Sequence, residues 1–266
     1  MKVISVLNIK GGVGKTTTSI NLAAGAAKKG KRVLLVDLDG QANSTAMLMD
    51  HSYSKDEMTV VDCLIDPTMT KEAIIKTPHG FDLLPSRLDL FVIETSILID
   101  VRKAQHNRLL KIIQEVKEKY DLIIVDCNPS LGIMTTNAIY ACKNRQGNIL
   151  IPIKIDKGAT DGFVTTISFI EDMNEKYDMD VDYQILVTMK NRNNLDKALI
   201  EDLGQIAPGK LLNTQIRNQS KPITEAGYTQ LPVINNIKAN VGEDYRLLVE
   251  EMFGVNCPRG RKEVSV

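Results

Sequence analysis

Net charge, paired cysteines, long apolar runs and internal repeats are all missing from this chain of 266 residues, and each absence excludes something. Its 33 basic residues balance 33 acidic ones. The molecule as a whole is therefore no electrostatic magnet for nucleic acid, and any such binding must use a local patch. The four cysteines, Cys63, Cys127, Cys142 and Cys257, form no CxxC pair and have no histidine cluster beside them. That spacing argues against a zinc or iron–sulfur site, and the number is too low for a disulfide scaffold. Four reduced thiols are expected, with Cys127 packed in a core. No apolar run is long enough to span a membrane, and the N-terminus enters a strand pattern (Val3, Ile4, Val6, Leu7) without a signal-peptide layout, which predicts a cytoplasmic protein. With no low-complexity tract or Ser/Gly-rich linker, the expectation is one domain over 1–254 and a polar tail over 255–266.

What is present is a soluble globular composition, 43% hydrophobic and 25% charged, in which short apolar runs alternate with helical stretches. That alternation predicts a doubly wound, mostly parallel α/β sheet with helices on both faces. Strands are expected at 2–8, 31–37, 81–85, 120–126, 148–153 and 183–189. Helices are expected at 15–29, 44–49, 88–118 (as two), 131–142, 158–176, 194–203 and 242–254, the last with Tyr245, Leu248, Val249 and Met252 on one face. Residues 51–80 are less regular and read as a short helix and loop at the sheet edge.

The stretch from "VISVLN" through "IKGGVGKTTTSINLA" is strand, glycine turn, helix. Gly11, Gly12 and Gly14 permit backbone angles and a close approach that side chains would block, so successive N–H groups can turn toward phosphate oxygens. The helix beginning near Lys15 adds its positive end. Lys15 can reach the β- and γ-phosphates, and the Thr16 hydroxyl can sit on Mg²⁺; the cradle runs over Lys10, Gly11, Gly12, Val13, Gly14, Lys15, Thr16 and Thr17. One departure from the usual phosphate-loop spacing is Ile9, where a glycine is expected. Two further runs, "LLVDLDGQAN" and "YDLIIVDCNPS", end strands in aspartates. Strand ends of a parallel sheet face the ligand crevice, so Asp37 and Asp39 are expected to point toward the phosphates, and Asp126 to support the metal. Asp39 is the candidate to position the attacking water, which puts Thr16, Asp39 and Asp126 together as the metal and hydrolysis group.

"KGGVGKTT" (10–17), "VDLDGQAN" (36–43) and "DLIIVDCNPSLG" (121–132) together resemble the deviant Walker A, A′ and B motifs of the ParA/MinD family. The resemblance continues in order through "VVDCLIDP" (60–67), "FDLLPSRLDL" (81–90), "ILIPIKIDKGATDG" (149–162) and "ILVTMKNR" (185–192), which are similar to segments of ParA-type partition ATPases. It implies a slow ATPase using ATP/ADP and Mg²⁺ that forms a nucleotide-sandwich homodimer, with Lys10 reaching phosphates held by the other subunit. It also implies binding to non-specific double-stranded DNA on the nucleoid, and stimulation by a ParB-like centromere-binding protein. Two positions depart from the family pattern: Asn128 stands where proline is usual, and Gly40 where many relatives have proline.

The basic residues of 186–222 are Lys190, Arg192, Lys197, Lys210, Arg217 and Lys221, against Asp196, Glu201 and Asp202, a local excess of three positive charges. Such a face is by itself as readily a solvated mixed surface as a DNA surface. The resemblance points to Lys190, Arg192, Arg217 and Lys221 as DNA contacts, which would be independent of base sequence and sensitive to salt. A MinD-like membrane role is disfavoured, because Glu243, Asp244, Glu250 and Glu251 face Arg246 alone in the last helix and an acidic helix is repelled by anionic lipid. With the phosphate loop so near the N-terminus, no helix-turn-helix is expected ahead of it. A metabolic ATPase acting on a small substrate is the other alternative.

Overall fold

One twisted sheet carries the molecule. In the computed structural model, which describes residues 1–49, 53–143, 147–155 and 159–254 (159–161 as backbone alone), the strands are β1 (Lys2–Val6), β2 (Val33–Leu38), β3 (Ile75–Lys76), β4 (Asp82–Leu84), β5 (Leu122–Cys127), β6 (Gly147–Lys154), β7 (Asp182–Lys190) and β8 (Leu211–Arg217). Their spatial order is β3-β4-β2-β5-β1-β6-β7-β8, parallel throughout except for the two-residue β3, which runs antiparallel to β4 at the edge. The central strand β5 is buried at every position, as a strand covered on both faces must be.

The helices are α1 (Lys15–Lys28), α2 (Asn43–Leu48), α3 (Val60–Ile65), α4 (Thr70–Ala73), α5 (Leu90–Ile99), α6 (Arg108–Val116), α7 (Ile133–Tyr140), α8 (Ala159–Tyr177), α9 (Asn194–Ile206), α10 (Ser220–Thr229) and α11 (Asn240–Phe253). They cover two apolar layers that the alternation of strand residues divides. Val3, Ile123, Val125 and Ile151 face one layer with Leu109, Ile113 and Phe163. Ile4, Val6, Ile124 and Leu150 face the other with Leu22, Tyr245 and Leu248. Each fully buried aliphatic side chain contributes about 1.5–3 kcal/mol relative to exposure, so the two layers together outweigh any surface contact.

The six expected strands and the expected helices are present with end shifts of a few residues, although the start of the helix predicted from 158 and the predicted tail 255–266 lie outside the described residues. The 88–118 stretch is two helices, and residues 60–76 make α3, a 3-10 turn, α4 and the edge strand β3. Thr59 caps α3 in a reciprocal capping box with Asp62, which is why a helix begins there in otherwise irregular sequence. Besides α4 and β3 within that stretch, two longer elements escaped the sequence pattern. β8 ("LLNTQIR") is an edge strand in which only Leu212 and Ile216 are buried, and α10 ("SKPITEAGYT") buries no residue, so neither carries a periodic apolar signature.

Candidate nucleotide site

The carboxyl ends of β1, β2 and β5 open on a cavity of about 340 Å³ lined by Gly11, Gly12, Gly14, Lys15, Thr16, Thr17 and Asp39, with Asn43, Met47, Pro129 and Met189 closing it. Of the expected nucleotide residues, Gly11, Gly12, Gly14, Lys15, Thr16, Thr17 and Asp39 are thus brought together, while Lys10, Val13 and Asp126 do not line the cavity. Gly12 and Gly14 have φ of +72° and +87°, a left-handed backbone that side chains rarely adopt. A Cβ added at Gly11 or Gly12 would meet nothing within 4 Å, so the space beside the loop is open for a phosphate. The loop leads into α1 without a side-chain cap, leaving the first-turn N–H groups available to an anion.

Neighbouring strands hold the loop in shape. The Asn8 side chain donates from Nδ2 to the Pro152 carbonyl (2.8 Å) and accepts the Lys10 N–H on Oδ1 (2.9 Å), tying the loop's entry to β6. The Thr188 hydroxyl donates to the Val13 carbonyl at 2.8 Å, tying its centre to β7. Lys15 folds back so that its ammonium donates to the Lys10 carbonyl at 3.0 Å. Burial lowers the Lys15 pKa, and the carboxylates of Asp126 and Asp39 oppose that shift. Lys10 is half-buried on the same turn, with its backbone engaged on both sides.

Asp126, next to last in β5, is almost fully buried beneath the loop. Ser44 Oγ donates to its Oδ2 at 2.7 Å, Ser19 Oγ to its Oδ1 at 3.2 Å, and the Thr16 hydroxyl also binds it. Burial pushes its pKa up and these three hydroxyls pull it back. The grouping suits Mg²⁺: a hydroxyl, two carboxylates and a phosphate-facing cavity are the hard oxygen donors this ion takes, with waters completing its shell. Thr16 would hold it directly and Asp126 through water, and when bound it would neutralise charge developing on the transferred phosphoryl group. Asp39 is 7% exposed on the loop after β2, and its Oδ1 accepts the Gln41 N–H at 2.9 Å.

Asp37 departs from expectation. Its carboxylate does not reach the cavity but accepts from Thr45 N (2.9 Å), Thr45 Oγ1 (2.7 Å) and Asp39 N (3.2 Å), fastening α2 and the loop to the sheet. β2 and β5 are paired with Asp37 directly beside Asp126. Burial first, and the Asp126 charge second, raise the Asp37 pKa. Strand alternation would put residues two apart on one face, but β2 ends at Leu38. Asp37 is still inside the sheet, held by Thr45 beside Asp126, whereas Asp39 lies on the loop beyond, where the two-residue period no longer applies.

The basic residues named from sequence gather at the ends of β7 and β8, but they are not equally available. Arg217 makes a bidentate pair with Asp244, Nε–Oδ2 at 2.7 Å and Nη2–Oδ1 at 2.6 Å, and its N–H donates to the same carboxylate at 2.9 Å. Lys210 pairs with Asp182 at 2.5 Å. Both acids lie outside the 186–222 segment, so the excess of charge along the sequence is partly cancelled in space. Lys190 donates to Gln215, while Lys221 is 87% exposed with Glu225 at 3.9 Å, and Arg192 is exposed. The acids of α11 are likewise committed: Asp244 to Arg217, and Glu251 to the Asn213 and Thr214 N–H groups of β8. Asn8, Ser19, Ser44 and Thr188 were not legible as site residues, because hydrogen bonds across strands leave no spacing signal; "NIKGG" alone marks Asn8 as the last residue before the turn.

Comparison with known proteins agrees with this geometry. A family model described as an AAA domain matches residues 1–203. The sporulation initiation inhibitor protein Soj of Bacillus subtilis is 34% identical over 88% of this chain and 90% of its own. A ParA family protein of Chlamydia trachomatis is 32% identical over 95% of this chain and 98% of its own. Among solved structures, cobyrinic acid a,c-diamide synthase from Mycobacterium smegmatis, with bound ATP analogue and magnesium, superposes with a TM-score of 0.79 at 25% identity, covering 98% of this chain and 100% of that one. Identity above 30% along nearly the whole of two curated sequences exceeds what a common fold requires, and the chain belongs to the ParA family of P-loop ATPases.

Proposed function

We propose that this chain is a partition ATPase: ATP and Mg²⁺ drive a sandwich homodimer, the dimer binds double-stranded DNA without sequence preference, and a ParB-like partner stimulates hydrolysis that releases it. The observation that carries the reading is the convergence of Lys15, Thr16 and Asp39 on one cavity, with Asp126 bonded to Thr16 beneath it and Lys10 on the same glycine turn. Lys15 neutralises the phosphates from its own subunit. Lys10 is assigned to the neighbour's nucleotide, where a second cation acts most strongly because the interface excludes water. Asp39 orients the attacking water. With no strong base among the described residues of the cavity and part of the site supplied across an interface, intrinsic turnover is slow.

For DNA, Arg192, Lys190 and Lys221 are the proposed phosphate contacts, and Arg217 is proposed to shape that surface from its pair with Asp244. The setting is the nucleoid in the cytoplasm; among the described residues, no helix is long and apolar enough to cross a membrane. The test is DNA binding by the purified protein with ADP, ATP or a slowly hydrolysed analogue, repeated for Lys10→Ala and Asp39→Ala. Binding is expected only with the triphosphate, to persist in Asp39→Ala without turnover and to vanish in Lys10→Ala. Binding indifferent to nucleotide would sink the proposal.

A second reading, ATP-driven activation of a small substrate, draws on the likeness to the cobyrinic acid synthase. It predicts that a small acid, and not DNA, accelerates hydrolysis.

A further inference from the structure

The two positions at which this chain departs from its family's motifs, Gly40 and Asn128, lie on different loops: one follows β2 and carries Asp39, the other follows β5 and Asp126. One helix touches both. A Cβ added to Gly40 would fall 2.7 Å from Cε2 and 2.9 Å from both Cδ2 and Cζ of Phe91, so the Phe91 ring lies directly on the Gly40 backbone. One turn further along α5, Glu94 Oε1 accepts from Asn128 Nδ2 at 3.3 Å. The Asn128 side chain is nearly buried, and its Oδ1 accepts from the Thr135 hydroxyl at 3.5 Å, which also binds the Ser130 carbonyl of the same loop. Proline at 128 would offer no donor to Glu94, and any side chain at 40 would displace the ring. The two departures therefore match each other through residues spaced i and i+3, which share one face of a helix.

Resting on the ATPase reading above, we propose that α5 clamps both loops of the catalytic cavity, Phe91 seating on Gly40 and Glu94 holding Asn128, and that Glu94 is thereby a positioning residue for hydrolysis. The clamp acts through geometry. Asp39 follows the strand end next to Gly40, and Asn128 follows Asp126 by two residues, so the helix sets the distance between the water-orienting carboxylate and the loop that bounds the cavity at Pro129. The carboxylates are close enough to sense one another: burial, and then the Asp39 charge, raise the Glu94 pKa, while the Asn128 hydrogen bond lowers it. Leu90 and Ile97 anchor α5 to the core, so its register against the loops is fixed from beneath.

Positioning separates from stability in a mutant cycle on the full chain, read by ATP turnover with kcat and KM resolved. Glu94→Ala and Asn128→Ala are each expected to lower kcat about fivefold with KM for ATP unchanged, the size expected for one net hydrogen bond. The double variant is expected to be no slower than the slower single, because the two residues act as one unit. Glu94→Gln, whose amide oxygen still accepts from Asn128, retains most of the turnover. Gly40→Ala, which pushes the ring away without backbone strain, and Phe91→Ala, which removes it, are each expected to slow hydrolysis, and their double to be no slower than the slower single. Losses that multiply in the Glu94/Asn128 double, a loss confined to KM, a Glu94→Gln as slow as alanine, or a Phe91→Ala with wild-type turnover would each overturn the clamp. A wild type that binds ATP without hydrolysing it would overturn the ATPase reading itself.

Discussion

Arg217 offers the sharpest separation of a fold residue from a nucleic-acid contact. Its guanidinium makes two charge-assisted hydrogen bonds to Asp244, which is 6% exposed, while the arginine itself is 39% exposed. Removing one partner of a fully buried ion pair costs about 3–5 kcal/mol, because the other charge is left uncompensated. Here water can reach the arginine side, and in the alanine variant the backbone N–H at 217 still donates to Asp244, so Arg217→Ala is expected to cost about 2 kcal/mol. For a chain of this size that corresponds to a fall in Tm of about 4–8 °C. Thermal and urea unfolding measure it, with Arg192→Ala and Lys221→Ala as controls expected within about 0.5 kcal/mol of wild type. The controls should instead weaken DNA binding, each reducing its salt slope by about 1 for the phosphate it no longer neutralises. An Arg217→Ala protein as stable as wild type would refute the assignment of this arginine to the fold. Weakened DNA binding at unchanged stability would return it to the DNA surface.

Three further perturbations follow from particular contacts. Lys15→Ala removes the buried ammonium from the phosphate cavity and should weaken Mg·ADP binding by at least about tenfold in calorimetry; unchanged affinity would remove Lys15 from the nucleotide site. Gly25→Ala puts a Cβ 2.4 Å from Val249 Cγ2 and 2.8 Å from Ile234 Cδ1, where α1 meets α11, and should cost about 1–3 kcal/mol by overpacking, measured by urea unfolding. Acid should act on Asp62. Burial opposes its charge, but hydrogen bonds from Arg87 and the Thr59 N–H more than offset this, and its folded pKa lies below the ordinary carboxylate value. A depressed carboxylate pKa gives stability present above the unfolded value near 4 and lost as pH falls through the folded one. Asp62→Asn should therefore be less stable than wild type at pH 7, by about 1–2 kcal/mol, with the gap narrowing below about pH 4; an equal gap at both would exclude the ion pair as its source.

Local chemistry made much of the molecule legible in advance. A glycine turn alone is weak evidence, but one that ends in Gly-Lys-Thr between an apolar strand and a helix points to a phosphate loop, and "KGGVGKTT" with its immediate flanks required no knowledge of the rest of the chain. Strand and helix periodicity likewise located the central strands, because a strand buried on both faces is apolar at every position, as β5 is. Edge elements were illegible for the converse reason: β8 and α10 bury too little to imprint a pattern.

What the chain determined by itself was thus the candidate nucleotide cradle, the sheet's core strands and the family to which the chain belongs. Tertiary structure decided how each charged group is used. Asp37 and Asp39 stand two residues apart, yet one fastens α2 beneath the loop and the other lines the cavity. Arg217 and Lys221 are both positive charges along the sequence, but Asp244, brought in by the last helix, commits the first and leaves the second in solvent. Phe91 and Glu94 meet Gly40 and Asn128 across some 50 and 34 positions of sequence, distances at which no spacing rule operates. Periodicity and turn chemistry are local and can be read along a chain, whereas the partner of a charge is chosen by whatever the fold packs against it.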